Sequence, residues 1–220
     1  YLTKFCEVAH GVTAEKVIED MPKKALLRDD EIRRTLERGQ SPTWSILGGS
    51  APDVLSMTRS MEKFFKDVIQ IPDKLAEVML KTTDEWIKIL EPQADHTGIR
   101  RAFIGDSRSS NQFISLKNFE KIFLPAMKRL VNGLVEKNII PILHLDSDWT
   151  NNLEYFLELP AKKFVVQLDG MTDIFRAKEI LKGHCAIMGD VPAALLVLGS
   201  PSEVDEYAKK LITVVGKDGG

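Results

Sequence analysis

Side chains able to do acid–base or ligand chemistry recur at five places where an apolar run stops. These are Gly48-Gly49-Ser50, Asp106-Ser107-Arg108, His144-Leu145-Asp146, Asp169 and Asp190. His144 and Asp146 stand two residues apart, and on an extended strand residues i and i+2 point to the same side. An imidazole and a carboxylate on one side suit zinc, with a third ligand from elsewhere and a position left open for substrate. They equally suit a proton-relay pair in which the carboxylate fixes the imidazole tautomer, and a hydrogen-bonded structural histidine is the plain alternative. Trp149 follows closely enough to line the same pocket. Arg108 suits a substrate carboxylate or phosphate, because its planar fork binds such groups bidentately; a salt bridge to Asp106 or Asp146 is the competing reading. Asp169 and Asp190 each also read as caps of the following helix. Carboxylates at four strand ends would repel one another in a low-dielectric cleft unless a cation, an arginine or shared protons intervene. Their coincidence points to a catalytic mouth, with Asp106, Asp169 and Asp190 as the candidate catalytic carboxylates.

The elements that must position these groups alternate along the chain. Residues 13–38 carry apolar positions at helical spacing, split by Pro22 and ended by Gly39. The apolar segment Thr43–Leu47 reads as a buried strand closed by Gly48-Gly49, followed by a helix over 54–69 and a better one over 73–90. Strands are expected at 102–104, 139–143, 164–168 and 185–188. The helices between them are expected at 116–136, 151–157 and 172–181, with a last one at 202–215 capped by Ser202. Strand–helix alternation with apolar, non-alternating strands predicts a parallel sheet covered on both faces.

Composition narrows the classes further. Thirty basic and 32 acidic side chains leave a formal net charge of −2, which argues against a protein built to coat nucleic acid. No apolar run approaches the roughly 18 residues of a membrane helix, and the first residues lack the order of a secretory signal. Cys6 and Cys185 are too few for a disulfide framework, so a reducing, cytoplasmic setting is expected. Cys185 reads as a small core residue, His184 beside it as a surface loop residue, and His10 and His96 have no companions that would make them ligands. A (β/α)8 barrel needs about 250 residues. A barrel here is therefore expected to be incomplete, or the sequence omits parts of its parent. Such a barrel would expose sheet edges, so a stable monomer of this length is not expected, and a homodimer is one admitted assembly.

The chain resembles the uroporphyrinogen decarboxylase superfamily from about Gly48 to Gly220. The resemblance is carried by Gly49-Ser50-Ala51-Pro52 before a helix, and by Asp106-Ser107 followed by Phe119-Glu120-Lys121-Ile122-Phe123-Leu124-Pro125. His144-Leu145-Asp146, Leu168-Asp169, Met188-Gly189-Asp190-Val191-Pro192 and Ser202-Glu203-Val204 through Gly219-Gly220 complete it. It implies an α/β fold, a (β/α)8 TIM barrel with its site at the mouth, incomplete in this chain. Residues 1–42 would form an N-terminal helical segment and 43–220 the partial barrel, one domain overall.

Two chemistries follow from the resemblance. One branch decarboxylates a tetrapyrrole without metal or cofactor. Thr58 stands where those enzymes carry a pocket tyrosine, and Ser107 matches a pocket serine. The other branch moves a methyl group from a corrinoid protein to a thiol such as coenzyme M and holds zinc with a His-x-Cys pair. His144-Leu145-Asp146 matches that pair in position, with Asp146 in place of the cysteine and the later ligand beyond Gly220. Zinc accepts a carboxylate oxygen. The expectation is therefore a zinc-assisted methyltransferase with His144 and Asp146 as metal ligands and Ser107, Arg108, Thr58 and Trp149 binding substrate. Its partners would be a corrinoid protein and a thiol acceptor, with no nucleic acid and no membrane. A cofactor-free uroporphyrinogen decarboxylase and a non-catalytic tetrapyrrole-binding barrel are the alternatives.

Overall fold

The computed structural model describes Lys16 and residues 28–219. Five parallel strands form one sheet in the order β1 (Ile46–Gly49), β2 (Arg101–Asp106), β3 (Ile140–Leu145), β4 (Val165–Leu168) and β5 (Ala186–Met188). Each strand lies beside its predecessor, the order in which strands follow one another round a (β/α)8 barrel; a doubly wound sheet would reverse direction partway. The expected α/β class is what is found, as five consecutive parallel strands with β1 and β5 at the edges of the sheet.

Register decides which side chains share a face. Ile46, Ala102, Ile104, Leu143, Leu145, Val166 and Leu168 alternate onto the side covered by helices, and all are buried. The other face carries Leu47, Phe103, Ile140, Ile142, Val165 and Gln167, and it is covered only in part: Ile142 is buried, while Leu47 is 55% and Ile140 45% exposed. The expectation of a sheet covered on both faces is corrected to that extent. The strands read as non-alternating because this face is also largely apolar, although among the described residues no further strands face it.

The covering helices are α1 (Ala51–Arg59), α2 (Met61–Gln70), α3 (Pro72–Thr97), α4 (Leu124–Glu136), α5 (Ile174–Leu181), α6 (Ala193–Leu198) and α7 (Pro201–Lys210). Residues 28–37 are also helical, and the rest of the expected N-terminal helix, with Cys6 and His10, lies outside the described residues. The single helix expected over 54–69 is two helices, broken at Ser60, whose φ of 77° no continuing helix allows. The segment 116–136 is helical throughout, but Phe119–Phe123 widens to a π-turn in which Leu124 N–H donates to the Phe119 carbonyl. Pro125, which has no N–H to donate, sits just past that wide turn. The short helix behind β3 is a 3-10 helix, Thr150–Glu158. The last helix begins earlier than its expected cap at Ser202. Ser200 caps it through a reciprocal box with Glu203, and Pro201 occupies the first turn. No helix among the described residues is long and apolar enough to cross a membrane.

α3 supplies the main brace. Leu75, Met79, Thr83, Ile87, Leu90 and Ala94 recur every three or four residues and are buried, and the helix packs along α4. The two helices approach at Gly133, where an added Cβ would come within 2.4 Å of Ile87 Cδ1 and 3.3 Å of its Cγ1. Ile87 is itself buried and can yield only by displacing its neighbours. Overpacking should therefore outweigh the gain of about 1 kcal/mol in helix propensity. Gly133→Ala is expected to destabilise the fold by about 1 kcal/mol in urea titration, and a raised midpoint would show that Ile87 has room to move.

Candidate functional site

The parallel register lines up one row of residues across the open face near the C-terminal ends of the strands: Gly105, His144, Gln167 and Met188. Two residues further on, where each strand gives way to its loop, stand Ser107, Asp146, Asp169 and Asp190. Gly105 leaves open space beside His144. The mouth is thus a histidine and a glutamine on a floor of apolar side chains, with an acidic rim.

His144 is held on three sides. Its Nε2 lies 3.0 Å from Asp146 Oδ1 and its Nδ1 3.2 Å from Gln167 Oε1. Its ring lies against Phe103 with centroids 4.8 Å apart, and Phe103 in turn packs on Trp44. The i, i+2 pairing expected for His144 and Asp146 is therefore present as a contact. Oxygen atoms flank both ring nitrogens, and the contact between Nε2 and the carboxylate is one that a proton or a metal cation can bridge. The donor chemistry fits zinc in part. Two ligand atoms of a tetrahedral zinc stand about 3.3 Å apart given bonds of about 2.0–2.1 Å, close to the spacing seen here. A glutamine oxygen on the far nitrogen is the outer-shell partner that a ligating histidine needs. Among the described residues no group of three His, Cys, Asp or Glu could hold a metal.

Asp106 occupies a different place. It follows Ile104 on the helix-covered side, in register with Leu145, and is 5% exposed. Its carboxyl accepts from Ser109 N at 3.2 Å and Ser109 Oγ at 3.0 Å, which closes the loop after β2. Burial, and secondarily the charge of Asp53, pushes it up to about 7. Asp53 accepts from Ser107 N, Ser107 Oγ and Arg108 N, joining the loops after β1 and β2. Arg108 makes no ion pair among the described residues, with Asp106, Asp146 or any other acid; its guanidinium sits over the Phe113 ring, 5.7 Å from the centroid.

The remaining carboxylates tie loops rather than cap helices. Asp169 accepts from Ser147 N and Met171 N, both at 2.9 Å, while Asp173 caps α5. Asp190 accepts from Tyr207 of α7 at 3.3 Å; burial first, and the nearby Asp169 charge in part, raise it above the ordinary carboxylate range. The loop after β3 is further held by Asn111, which donates to Asp148 and accepts from Asn151 N. Trp149 is fully buried against Phe119 and Phe156, and its indole N–H holds the Asp146 carbonyl at 2.8 Å. It supports the pair from behind instead of lining the mouth. Thr58 is exposed on α1 and donates to the Val54 carbonyl of its own helix.

The structure brings together His144 and Asp146, and separately Asp169 and Asp190; Asp106 lies beneath the rim, and Thr58 bonds only to its own helix among the described residues. Three participants were not singled out from the sequence. Gln167, a polar residue inside the apolar run Phe164–Leu168, carried a readable signal. Asp53 and Tyr207 act across 54 and 17 residues, which local pattern does not reveal. A cavity of about 490 Å³ lies at the opposite ends of the strands, lined by Lys162, Lys163, Lys182 and Cys185 among others. Burial there pushes the Cys185 thiol up to about 12, as befits the core residue expected from the sequence.

Comparison with known proteins decides the family. The uroporphyrinogen decarboxylase (URO-D) family model matches residues 15–220. The chain belongs to the uroporphyrinogen decarboxylase family. Within it, a methylcobamide:CoM methyltransferase of Methanosarcina acetivorans is 28% identical over 109 residues, 50% of this chain and 32% of that protein. A uroporphyrinogen decarboxylase of Syntrophotalea carbinolica is 28% identical over 143 residues, 65% of this chain and 40% of that one. The chain therefore spans about a third to two-fifths of the length of these URO-D relatives. A solved methyltransferase from Methanosarcina mazei shares the fold with a TM-score of 0.66 at 17% identity, over 87% of this chain and 54% of its own.

The buried Asp106 makes stability depend on pH. Its folded value of about 7 lies above the roughly 3.9 of an unfolded aspartate. Between those values the folded chain keeps a proton that the unfolded chain has lost. The resulting stability is complete below about pH 4 and is lost as pH rises through about 7. Asp106→Asn, neutral at every pH, is expected to raise the urea midpoint at pH 8 and change it little at pH 4. An equal shift at both would show that the carboxylate ionises in the folded state without penalty.

Proposed function

We propose that this protein is a methyltransferase of the URO-D family that moves a methyl group between a corrinoid protein and a thiol acceptor, in the cytoplasm, with zinc at the end of β3. The observation that carries the reading is the contact of His144 Nε2 with Asp146 Oδ1 at 3.0 Å on the open face, with Gln167 behind the ring. His144 and Asp146 would hold the metal, with the remaining donors from outside the described residues. Bound there, zinc would keep the acceptor thiol as its nucleophilic thiolate. Gln167 and Phe103 fix the imidazole. Arg108, without an ion pair among the described residues, would take an anionic group of the acceptor, and Ser107 would lie beside it. Asp169 and Asp190 would shape the acidic rim facing the methyl donor, while Asp106 closes the loop that carries Arg108. Two of the curated relatives carry the name methylcobamide:CoM methyltransferase, which supports this choice.

One observation favours a second reading, metal-free decarboxylation of a tetrapyrrole. Both His144 ring nitrogens already meet oxygen partners inside the chain, so the pair is complete as an acid–base unit. Against it, Thr58 occupies the expected tyrosine position and bonds to its own helix.

Elemental analysis of the full-length protein separates the two. The expected result is about one zinc per chain, the four-coordinate site having one ion, lost in both His144→Ala and Asp146→Ala while the fold survives by circular dichroism. Zinc-free wild type from metal-replete cells, releasing carbon dioxide from uroporphyrinogen under reducing conditions, would sink the methyltransferase reading.

A further inference from the structure

We propose that Asp53 is the positioning residue of the anion anchor at the mouth, fixing Arg108 from the neighbouring strand's loop. The proposal rests on the reading of Arg108 as the group that takes an anionic part of the substrate.

Asp53 lies in the first turn of α1, immediately after β1. Its carboxylate accepts from Ser107 N at 3.1 Å, Arg108 N at 3.0 Å and Ser107 Oγ at 3.2 Å. Three donors on one partly buried carboxylate make charge-assisted bonds, stronger than the usual amide pair, and they come from consecutive residues of one loop. The next turn of that loop is closed by Asp106 on Ser109. The backbone of Arg108 therefore has little freedom, and its side chain leaves in one direction, across Phe113. That ring stacks on Phe65 of α2 with centroids 5.9 Å apart and planes 16° from parallel. The guanidinium thus has one face against an aromatic platform. Its Nε is buried and without a hydrogen-bond partner, and no acid neutralises it among the described residues.

The same contacts assign the neighbouring hydroxyl. Ser107 Oγ–H donates to Asp53, so toward a ligand Ser107 offers lone pairs and no proton. An anionic group entering the mouth finds its donors on Arg108, whose planar fork matches a carboxylate, phosphonate or sulfonate. Asp53 thereby sets both which group binds the anion and where that group stands, without touching the ligand.

The test uses the full-length protein with coenzyme M, a thiol carrying a sulfonate, as the probe. Calorimetric affinity, amide exchange across Ser107–Ser110 and steady-state methyl transfer are compared in wild type, Asp53→Ala, Asp53→Asn and Arg108→Ala. Loss of the acceptor should open the loop locally. In Asp53→Ala the Ser107 and Arg108 amides are expected to exchange about tenfold faster or more, losing bonds of the charge-assisted kind. Coenzyme M affinity should fall about tenfold, with KM raised and kcat changed by less than about twofold, the pattern of lost ground-state binding. Asp53→Asn, which keeps one acceptor oxygen, should recover part of both effects and serves as the folded control. Unchanged exchange in Asp53→Ala overturns the proposal, and so does faster exchange with unaltered affinity. If Arg108→Ala binds coenzyme M as tightly as wild type, the anchor reading itself has failed. If Arg108→Ala loses binding while Asp53→Ala does not, only the role of Asp53 is refuted.

Discussion

Parallel pairing of β2, β3 and β4 is the constraint on which the rest depends. With Gly105, His144 and Gln167 in register, the imidazole has open space on one side and an amide oxygen on the other. A shift of one residue in β3 would turn His144 into the helix-covered core and bring Leu143 or Leu145 to the mouth. The pairing is held from the covered side. Ile104, Leu143, Leu145, Val166 and Leu168 are buried under the helices, which a one-residue slip would undo, and α3 packs along α4.

Above that row, the polar residues work mainly on one another. Asp53 holds the loop after β2, Asp106 closes it, and Asp169 reaches the loop after β3. Asn111 links the loops after β2 and β3, and Tyr207 brings the last helix to Asp190. Carboxylates that would repel in a dry cleft are instead spread over backbone N–H groups, which satisfies both partners. The cost concentrates at Asp106, the one placed under the helices, where burial favours the protonated form. Outside this network among the described residues stand the His144–Asp146 pair and the stacked Arg108 guanidinium.

These two features divide the labour that the proposed chemistry requires. A histidine and a carboxylate in contact can share a proton or a metal, and an arginine with no ion pair among the described residues can hold an anion. Trp149 takes part indirectly. Its indole fills the core behind β3, and its single N–H fixes the Asp146 carbonyl, so the packing of the helix layer bears on the geometry of the pair. The family contains both methyltransferase and decarboxylase relatives, and the site groups present here are the kinds on which either activity could be built.

The order of the elements, the parallel sheet and the polar endings of the strands were legible in the sequence. They depend on local matters: runs of branched and aliphatic residues, glycines and prolines at their ends, and the two-residue period that sets His144 beside Asp146. The break at Ser60, the π-turn before Pro125 and the true cap at Ser200 were less so, because each turns on one residue's backbone within an otherwise continuous pattern. Tertiary structure alone decided which strand-end acids face the mouth. Asp106 and Asp146 look alike in sequence, yet one residue of parity puts the first under the helices and the second on the open face. It alone joined Asp53 to Ser107 and Arg108, since a hydrogen bond across 54 residues depends on the distance between two loops, and that distance is set by the packing of the whole sheet.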